Sequence, residues 1–229
     1  MLRRHWMTGI LTLLAGTGLA LAQAASTTPA STTPAPTPSA PRRPPSPPGT
    51  AATQVGGTWG TPDREGNPRY TGGKWIEVTY SRPILRGREN IFGKGADYGK
   101  VVNSGAPVWR AGANQTTRLK TEVPLEIAGK KLPAGEYSLF VDLKESGWTL
   151  IISTQPFMEK YDANEKTKTW GAYNYDAKYD VVRVPMKMVV PMVSVDQFAI
   201  AFADMTDKGG KLAMVWEKTG AFVEFTVGQ

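Results

Sequence analysis

The chain has no cysteine and a single histidine, His5, and these two shortages bound its chemistry more than anything else in it. Without thiols there is no disulfide, thiolate zinc site, iron–sulfur cluster, cysteine nucleophile or lipid-bearing cysteine. His5 lies in a segment that reads as a removable leader. The mature chain is then also expected to lack a Ser-His-Asp triad, an imidazole metal ligand and the usual general base near neutral pH. No cofactor and no metal site are expected. Long apolar runs are scarce as well. Residues 8–22 are apolar or small, a stretch of 15, short of the roughly twenty needed to cross a bilayer as a helix. Arg3 and Arg4 precede the run without an acid, and Ala20-Leu21-Ala22 and Ala22-Gln23-Ala24 close it. This is the pattern of a secretory signal peptide over 1–22, with cleavage before Gln23 or Ala25. The residues after the arginine pair, His5-Trp6-Met7, fit the general secretory route better than twin-arginine export. The protein is therefore expected to be exported, periplasmic or extracellular, with no permanent membrane span after cleavage; a retained signal anchor is the alternative.

What is present begins with a modest excess of base. The whole chain carries 27 Lys+Arg against 20 Asp+Glu, and loss of Arg3 and Arg4 leaves 25 against 20, or +5. That charge is spread out, so no nucleic-acid partner is expected. Residues 23–54 hold prolines set among Ala, Ser and Thr, with the imperfect repeat Ala25-Ser26-Thr27-Thr28-Pro29 and Ala30-Ser31-Thr32-Thr33-Pro34. Such a segment cannot build a core and favours extended polyproline conformation, so it reads as a disordered proline-rich linker.

From 55 to 229 the pattern changes to short runs of alternating apolar residues bounded by Gly, Pro, Asp and Lys, the signature of strands. Eight runs stand out, over 74–80, 116–127, 136–143, 148–154, 179–190, 196–205, 211–218 and 221–227. Tyr137, Leu139 and Val141 share a face, as do Trp148, Leu150 and Ile152, and these two runs should form an antiparallel hairpin. Further apolar faces are Val182, Val184, Met186 and Met188; Phe198, Ile200 and Phe202; and Leu212, Met214 and Trp216. Faces of this kind meet in an all-β antiparallel sandwich, jelly-roll-like or as a partly closed barrel. Pro185 should place its strand at an edge or bulge. Leu132-Pro133-Ala134-Gly135 and Lys208-Gly209-Gly210 read as turns, and only 156–162 has room for a short helix.

Among hydrolytic chemistries, a carboxylate pair remains. Glu77, Asp97, Glu122, Glu126, Asp142 and Glu217 are the candidates, although alternation makes each a solvated strand residue and makes Trp216 and Glu217 core and surface of one strand. A carboxylate-only calcium site is faintly approached by Asn174-Tyr175-Asp176 with Asp180. A long loop region over 81–114 is dense in arginine, glycine and aromatics, and loops of that length in compact domains are often functional. A second cluster, Trp170-Gly171-Ala172-Tyr173-Asn174-Tyr175-Asp176, lies between strands.

In order along the chain stand Tyr80-Ser81-Arg82-Pro83, Gly87-Arg88, Ile91-Phe92-Gly93, Tyr98-Gly99-Lys100, Trp109-Arg110-Ala111-Gly112-Ala113-Asn114, the block from Gly129 to Phe140 (Gly-Lys-x-Leu-Pro-Ala-Gly-x-Tyr-x-Leu-Phe), Trp170-Gly171-Ala172-Tyr173-Asn174-Tyr175 and Trp216-Glu217. This series resembles the bacterial family called domain of unknown function 2911 across 72–227, nearly all of the folded part. The resemblance implies an exported bacterial all-β domain and supplies no activity. Two departures stand out: the family block continues with glutamate where this chain has Gln115, and an insertion over 101–107 separates Lys100 from Trp109. A catalytic role for that glutamate elsewhere in the family would be lost here.

The candidate site is a ligand-binding one, made of Arg82, Trp109, Arg110, Asn114, Trp170 and Tyr173. The arginines offer planar donor forks to a carboxylate, phosphate or sugar hydroxyls, and the aromatics offer stacking platforms. The structural alternative is an arginine–tryptophan stack, with Asn114 capping carbonyls, that ties the long loop to the sandwich. Functionally, a noncatalytic envelope module for a carbohydrate or acidic small ligand stands beside a carboxylate-dependent glycan hydrolase and a structural protein-interaction domain. A cleft with two carboxylates ~5 to 9.5 Å apart would favour the hydrolase, and an arginine–aromatic cleft without them would favour binding.

Overall fold

Alternating side chains need two apolar faces pressed together, and the chain supplies them as two antiparallel sheets. The computed structural model describes residues 45–228; the expected signal peptide and most of the expected linker lie outside the described residues. In chain order the strands are β1 (Pro48–Val55), β2 (Thr58–Gly60), β3 (Arg69–Thr71), β4 (Lys74–Ser81), β5 (Thr117–Thr121), β6 (Leu125–Ile127), β7 (Lys130–Leu132), β8 (Gly135–Lys144), β9 (Gly147–Ser153), β10 (Asp180–Pro185), β11 (Lys187–Val189), β12 (Val195–Thr206), β13 (Gly209–Glu217) and β14 (Thr219–Val227). One sheet runs β1-β4-β5-β8-β9-β10. The other runs β12-β13-β14-β6-β7, with β11 sharing the free side of β14, and β2 and β3 form a separate ribbon. Neither large sheet closes on itself, so the architecture is an open sandwich rather than a barrel.

The expected hairpin is β8–β9, with Leu139 opposite Ile152 and Val141 opposite Leu150. Their inward faces join Ile76, Val78, Phe198, Met214, Trp216 and Phe225 in one buried cluster drawn from both sheets. Pro185 lies on β10, the last strand of its sheet, where a missing N–H breaks no ladder. Gly209, at φ +146°, opens the β12–β13 hairpin return as its neighbours in sequence suggested.

Three expectations need correction. The folded part starts at Pro48, not Val55: β1 pairs with β4 over its whole length, from Pro48 opposite Ser81 to Val55 opposite Lys74. Its Ala/Thr-rich sequence carries no strong alternation, and pairing with an existing edge supplies the order that the sequence does not. Two runs read as single strands are each cut at a proline, where the chain changes sheets. The 116–127 run becomes β5 and β6 around Pro124, and the 179–190 run becomes β10 and β11 after Pro185. Met188 thus leaves the face it shares by alternation with Val182 and Val184 and stands exposed. Residues 156–162 form no helix; a bridge between Phe157 and Thr169 takes that place. Among the described residues the one α-helical turn, α1 (Lys100–Asn103), falls in the long loop instead. Among the described residues no helix is long and apolar enough to cross a membrane.

The loop over 81–114 is part of the core as much as a cover for it. Leu85, Ile91, Phe92, Val102, Trp109 and Ala111 are all buried in the main cluster. On the other face of β8 and β9, Phe140 and Ile151 are sealed by Val108 from this loop and Ala172 from the second loop cluster. The β8–β9 hairpin is therefore covered on both sides, and the two loops that carry the candidate residues are fixed to it.

Candidate functional site: an arginine cleft beside an aromatic cavity

Trp109 leads the long loop back into the sandwich. Its backbone bridges to Val141 on β8, both N–H groups donating to the opposite carbonyl at 2.8 Å. Its indole is fully buried, stacked at 6.5 Å on Trp216 and edge-on to Phe92, Trp148 and Phe198. The indole N–H donates to the Gly112 carbonyl at 3.2 Å. Trp109 is therefore taken up by core packing and serves as the anchor of the loop rather than as an exposed stacking platform.

Arg110 follows immediately and points the opposite way. It is 9% exposed. One Nη donates to the Asn114 carbonyl at 3.0 Å, the guanidinium lies 5.7 Å from the Tyr173 ring, and Nε is buried without a partner. Burial pushes the Arg110 guanidinium below its ordinary pKa, partly offset by Tyr173. No carboxylate is ion-paired with it among the described residues. A buried cation without a counter-charge is unfavourable, and here the Asn114 carbonyl and the Tyr173 ring are what offset it.

The space in front of it is a cleft of about 390 Å³ whose lining includes Arg88, Trp109, Arg110, Asn114, Trp170 and Trp216, and no Asp or Glu. Arg88 was not singled out for the site by the sequence. Its Nε and Nη2 donate to the carbonyls of Leu85 and Ile84, and its guanidinium sits 5.9 Å from the Trp216 ring. Arg82 stands apart. Its stem packs over Gly49, its backbone N–H donates to Pro47, and its Nε is buried without a partner. Alternation after β4 turns it toward the first strand, and so it clamps β1 rather than lining the cleft. Asn114 lines the cleft and donates to the Ser46 carbonyl at 3.4 Å.

From the second loop cluster Trp170 lines this cleft, while Tyr173 lines a neighbouring cavity. Trp170 and Tyr173 close a tight bridge in which the Tyr173 N–H donates to the Trp170 carbonyl at 3.0 Å. Between them Gly171, at φ +61°, leaves room that any side chain would fill: a Cβ there would lie 2.6 Å from the nearer Arg110 Nη. The Thr116 hydroxyl donates to the Gly171 carbonyl at 2.9 Å, and the Tyr173 hydroxyl donates to Ser104 at 2.8 Å. Ala172 and Tyr175 point inward, Tyr175 edge-on to Phe140 at 5.1 Å. The order Trp-Gly-x-Tyr-x-Tyr thus alternates cavity-facing rings with buried anchors. Beyond Trp170 opens a second cavity of about 520 Å³, lined by Trp170, Tyr173 and Tyr161 among others. Tyr161 carried no sequence signal, since an isolated aromatic in a polar loop looks like any exposed residue.

The candidate carboxylates lie outside the cleft lining. Glu217 accepts from the Asn90 and Ile91 N–H groups at 2.6 and 3.0 Å, Glu122 from Trp75, and Asp142 pairs with Arg183. Asp97 pairs with Lys100, while Glu77 and Glu126 stand opposite Lys120 and Lys131 in register. Around the faint calcium pattern, Asp176 pairs with Lys178 and Asp180 with Arg183, and the described residues contain no cluster of three metal-ligating side chains. Gln115 lies outside the cleft lining and donates to the Glu159 carbonyl at 3.3 Å, a bond that an ionised glutamate cannot make.

Fold and site together define an open antiparallel β-sandwich whose loops close a carboxylate-free arginine cleft against an aromatic wall. The chain belongs to the family described as "Protein of unknown function (DUF2911)", whose family model matches residues 63–225. Comparisons with the curated proteins and with the solved structures found no match.

Proposed function

We propose that this protein is an exported, noncatalytic binding module of the cell envelope, and that its cleft takes an anionic or acidic carbohydrate ligand on Arg110. The observation that carries this reading is the guanidinium itself: nine-tenths buried, short of one partner at Nε and facing a cavity without a carboxylate. An incoming carboxylate or phosphate supplies the missing counter-charge and accepts bidentate hydrogen bonds where water is partly excluded. None of the six carboxylates considered for hydrolysis lines the cleft, which favours binding over glycan hydrolysis.

The rival with an observation behind it is loop architecture, since Arg110 also ties the Asn114 carbonyl. Arg110→Lys separates the two. Saturable thermal stabilisation by glucuronate or inorganic phosphate in the parent should disappear in the variant, while stability falls by only about 1 kcal/mol for one lost hydrogen bond. Thermal melts with and without each anion measure both quantities. A parent protein that responds to neither anion, paired with a destabilised variant, would leave Arg110 as architecture alone.

A further inference from the structure

The two cavities share Trp170; Arg110 lines the smaller one, and its guanidinium lies 5.7 Å from the ring of Tyr173, which lines the larger. In that larger space Tyr161 is 63% exposed and Tyr173 43% exposed, and the Tyr161 and Trp170 rings meet at 59° with centroids 5.9 Å apart. Tilted, accessible aromatic faces beside hydrogen-bonding groups suit a sugar ring, whose C–H face is apolar and whose rim is hydroxylated.

The charges of the two cavities differ in sign. The arginine cleft has Arg88 and Arg110 with no acid, whereas the aromatic cavity has Asp162 and Glu165 against Lys166. Lys166 donates to the Ala163 carbonyl. Asp162 uses Oδ1 on the Asn164 N–H, and Glu165 uses Oε1 on Thr167 and Lys168, which leaves each carboxylate a second oxygen for hydroxyl donors. An anionic residue is repelled from that side and drawn to the other.

We propose that the aromatic cavity is a second subsite for a neutral sugar ring, so that the ligand is an acidic oligosaccharide lying across Trp170 with its uronic acid on Arg110 and its neutral neighbour on Tyr161 and Trp170. This rests on the anion-binding reading of the cleft and adds a direction and a minimum length to the ligand.

Titration calorimetry of the full chain with glucuronate, with a glucuronate–galactose disaccharide, with cellobiose and with the dipeptide Asp-Phe tests it. The disaccharide should bind about tenfold more tightly than glucuronate, the worth of one well-placed aromatic contact. Tyr161→Ala should abolish that ratio while leaving glucuronate affinity unchanged, because Tyr161 is exposed and touches only the second cavity. Arg110→Lys should weaken both acidic ligands, and cellobiose should bind more weakly than either. Glucuronate binding without any gain for the disaccharide, or a gain that survives Tyr161→Ala, overturns the second subsite and leaves the anion site standing. A gain for Asp-Phe equal to that of the disaccharide overturns the sugar class. Absence of glucuronate binding in the parent overturns the cleft reading and this proposal with it.

Discussion

Gly171 and Arg110 cannot be understood separately. The glycine sits at positive φ in a bridge between two aromatic residues, and a Cβ there would approach the nearer Arg110 Nη to 2.6 Å and the Asn114 carbonyl to 2.9 Å. Gly171→Ala should therefore cost about 1–3 kcal/mol in thermal melts, from the left-handed backbone and the collision together, and should remove anion binding by displacing the guanidinium. A variant with parent stability and parent affinity would show that the turn relaxes freely. Glu165 makes a second residue-scale case. The Thr167 hydroxyl and the Thr167 and Lys168 N–H groups hold its carboxyl down to about 2, against an ordinary value of 4.5. A lowered folded pKa means that the contribution is present above 4.5 and is lost as pH falls toward 2. The Glu165 carboxyl resonance in an NMR titration should stay in its ionised position to about pH 3; a midpoint near 4.5 would remove this account of the 162–168 turn.

At the scale of elements, a carboxylate on the opposite sheet clamps the long loop, as Glu145 at the β8–β9 turn does at the Gly95 N–H. Glu217 ends β13 at φ +54° and accepts two N–H groups from the loop, while its neighbour Trp216 stacks on Trp109 in the core. Alternation correctly makes Trp216 core, but it gives no hint that Glu217 is a clamp, because the partners lie 126 and 127 residues away. Glu217→Ala should destabilise the protein by about 1–3 kcal/mol through loss of two charge-assisted hydrogen bonds, one of them to the buried Ile91, and hydrogen exchange of the Asn90 and Ile91 amides should quicken before that of β8 and β9. Equal protection in parent and variant would show that the buried loop residues hold it without the clamp. The β8–β9 hairpin, by contrast, was legible from the sequence because its two faces are made by neighbours in the chain.

For the molecule as a whole, the decisive boundary is the one at Pro48. Deleting residues 1–44 should leave the melting temperature of the β-sheet circular dichroism signal close to that of the full chain, while deleting residues 1–54 strips β1 from β4, uncovers Val78 and Tyr80 and should lower stability by several kcal/mol or abolish folding. Matching melts for the two deletions would restore Val55 as the start of the fold. This boundary also bears on the cleft, because Ser46 lines it and accepts from Asn114; the longer deletion should therefore weaken anion binding as well.

Period-two patterning determined most of the strands, the hairpins, the edge position of Pro185 and the sandwich class, because each depends on residues close together in the chain and on which of two faces a side chain must take. The ordered loop motifs carried the family and drew attention to Arg110, Asn114, Trp170 and Tyr173. Only the tertiary structure decided that Trp109 is core and Arg110 is not, that Arg88 rather than Arg82 stands in the cleft, and that Tyr161 belongs to a cavity. It also decided where the chain crosses between sheets and that β1 is a strand at all. Each of these depends on packing between segments far apart in sequence, where burial, charge and hydrogen-bond partners come from the facing element and leave no period in the chain to be read.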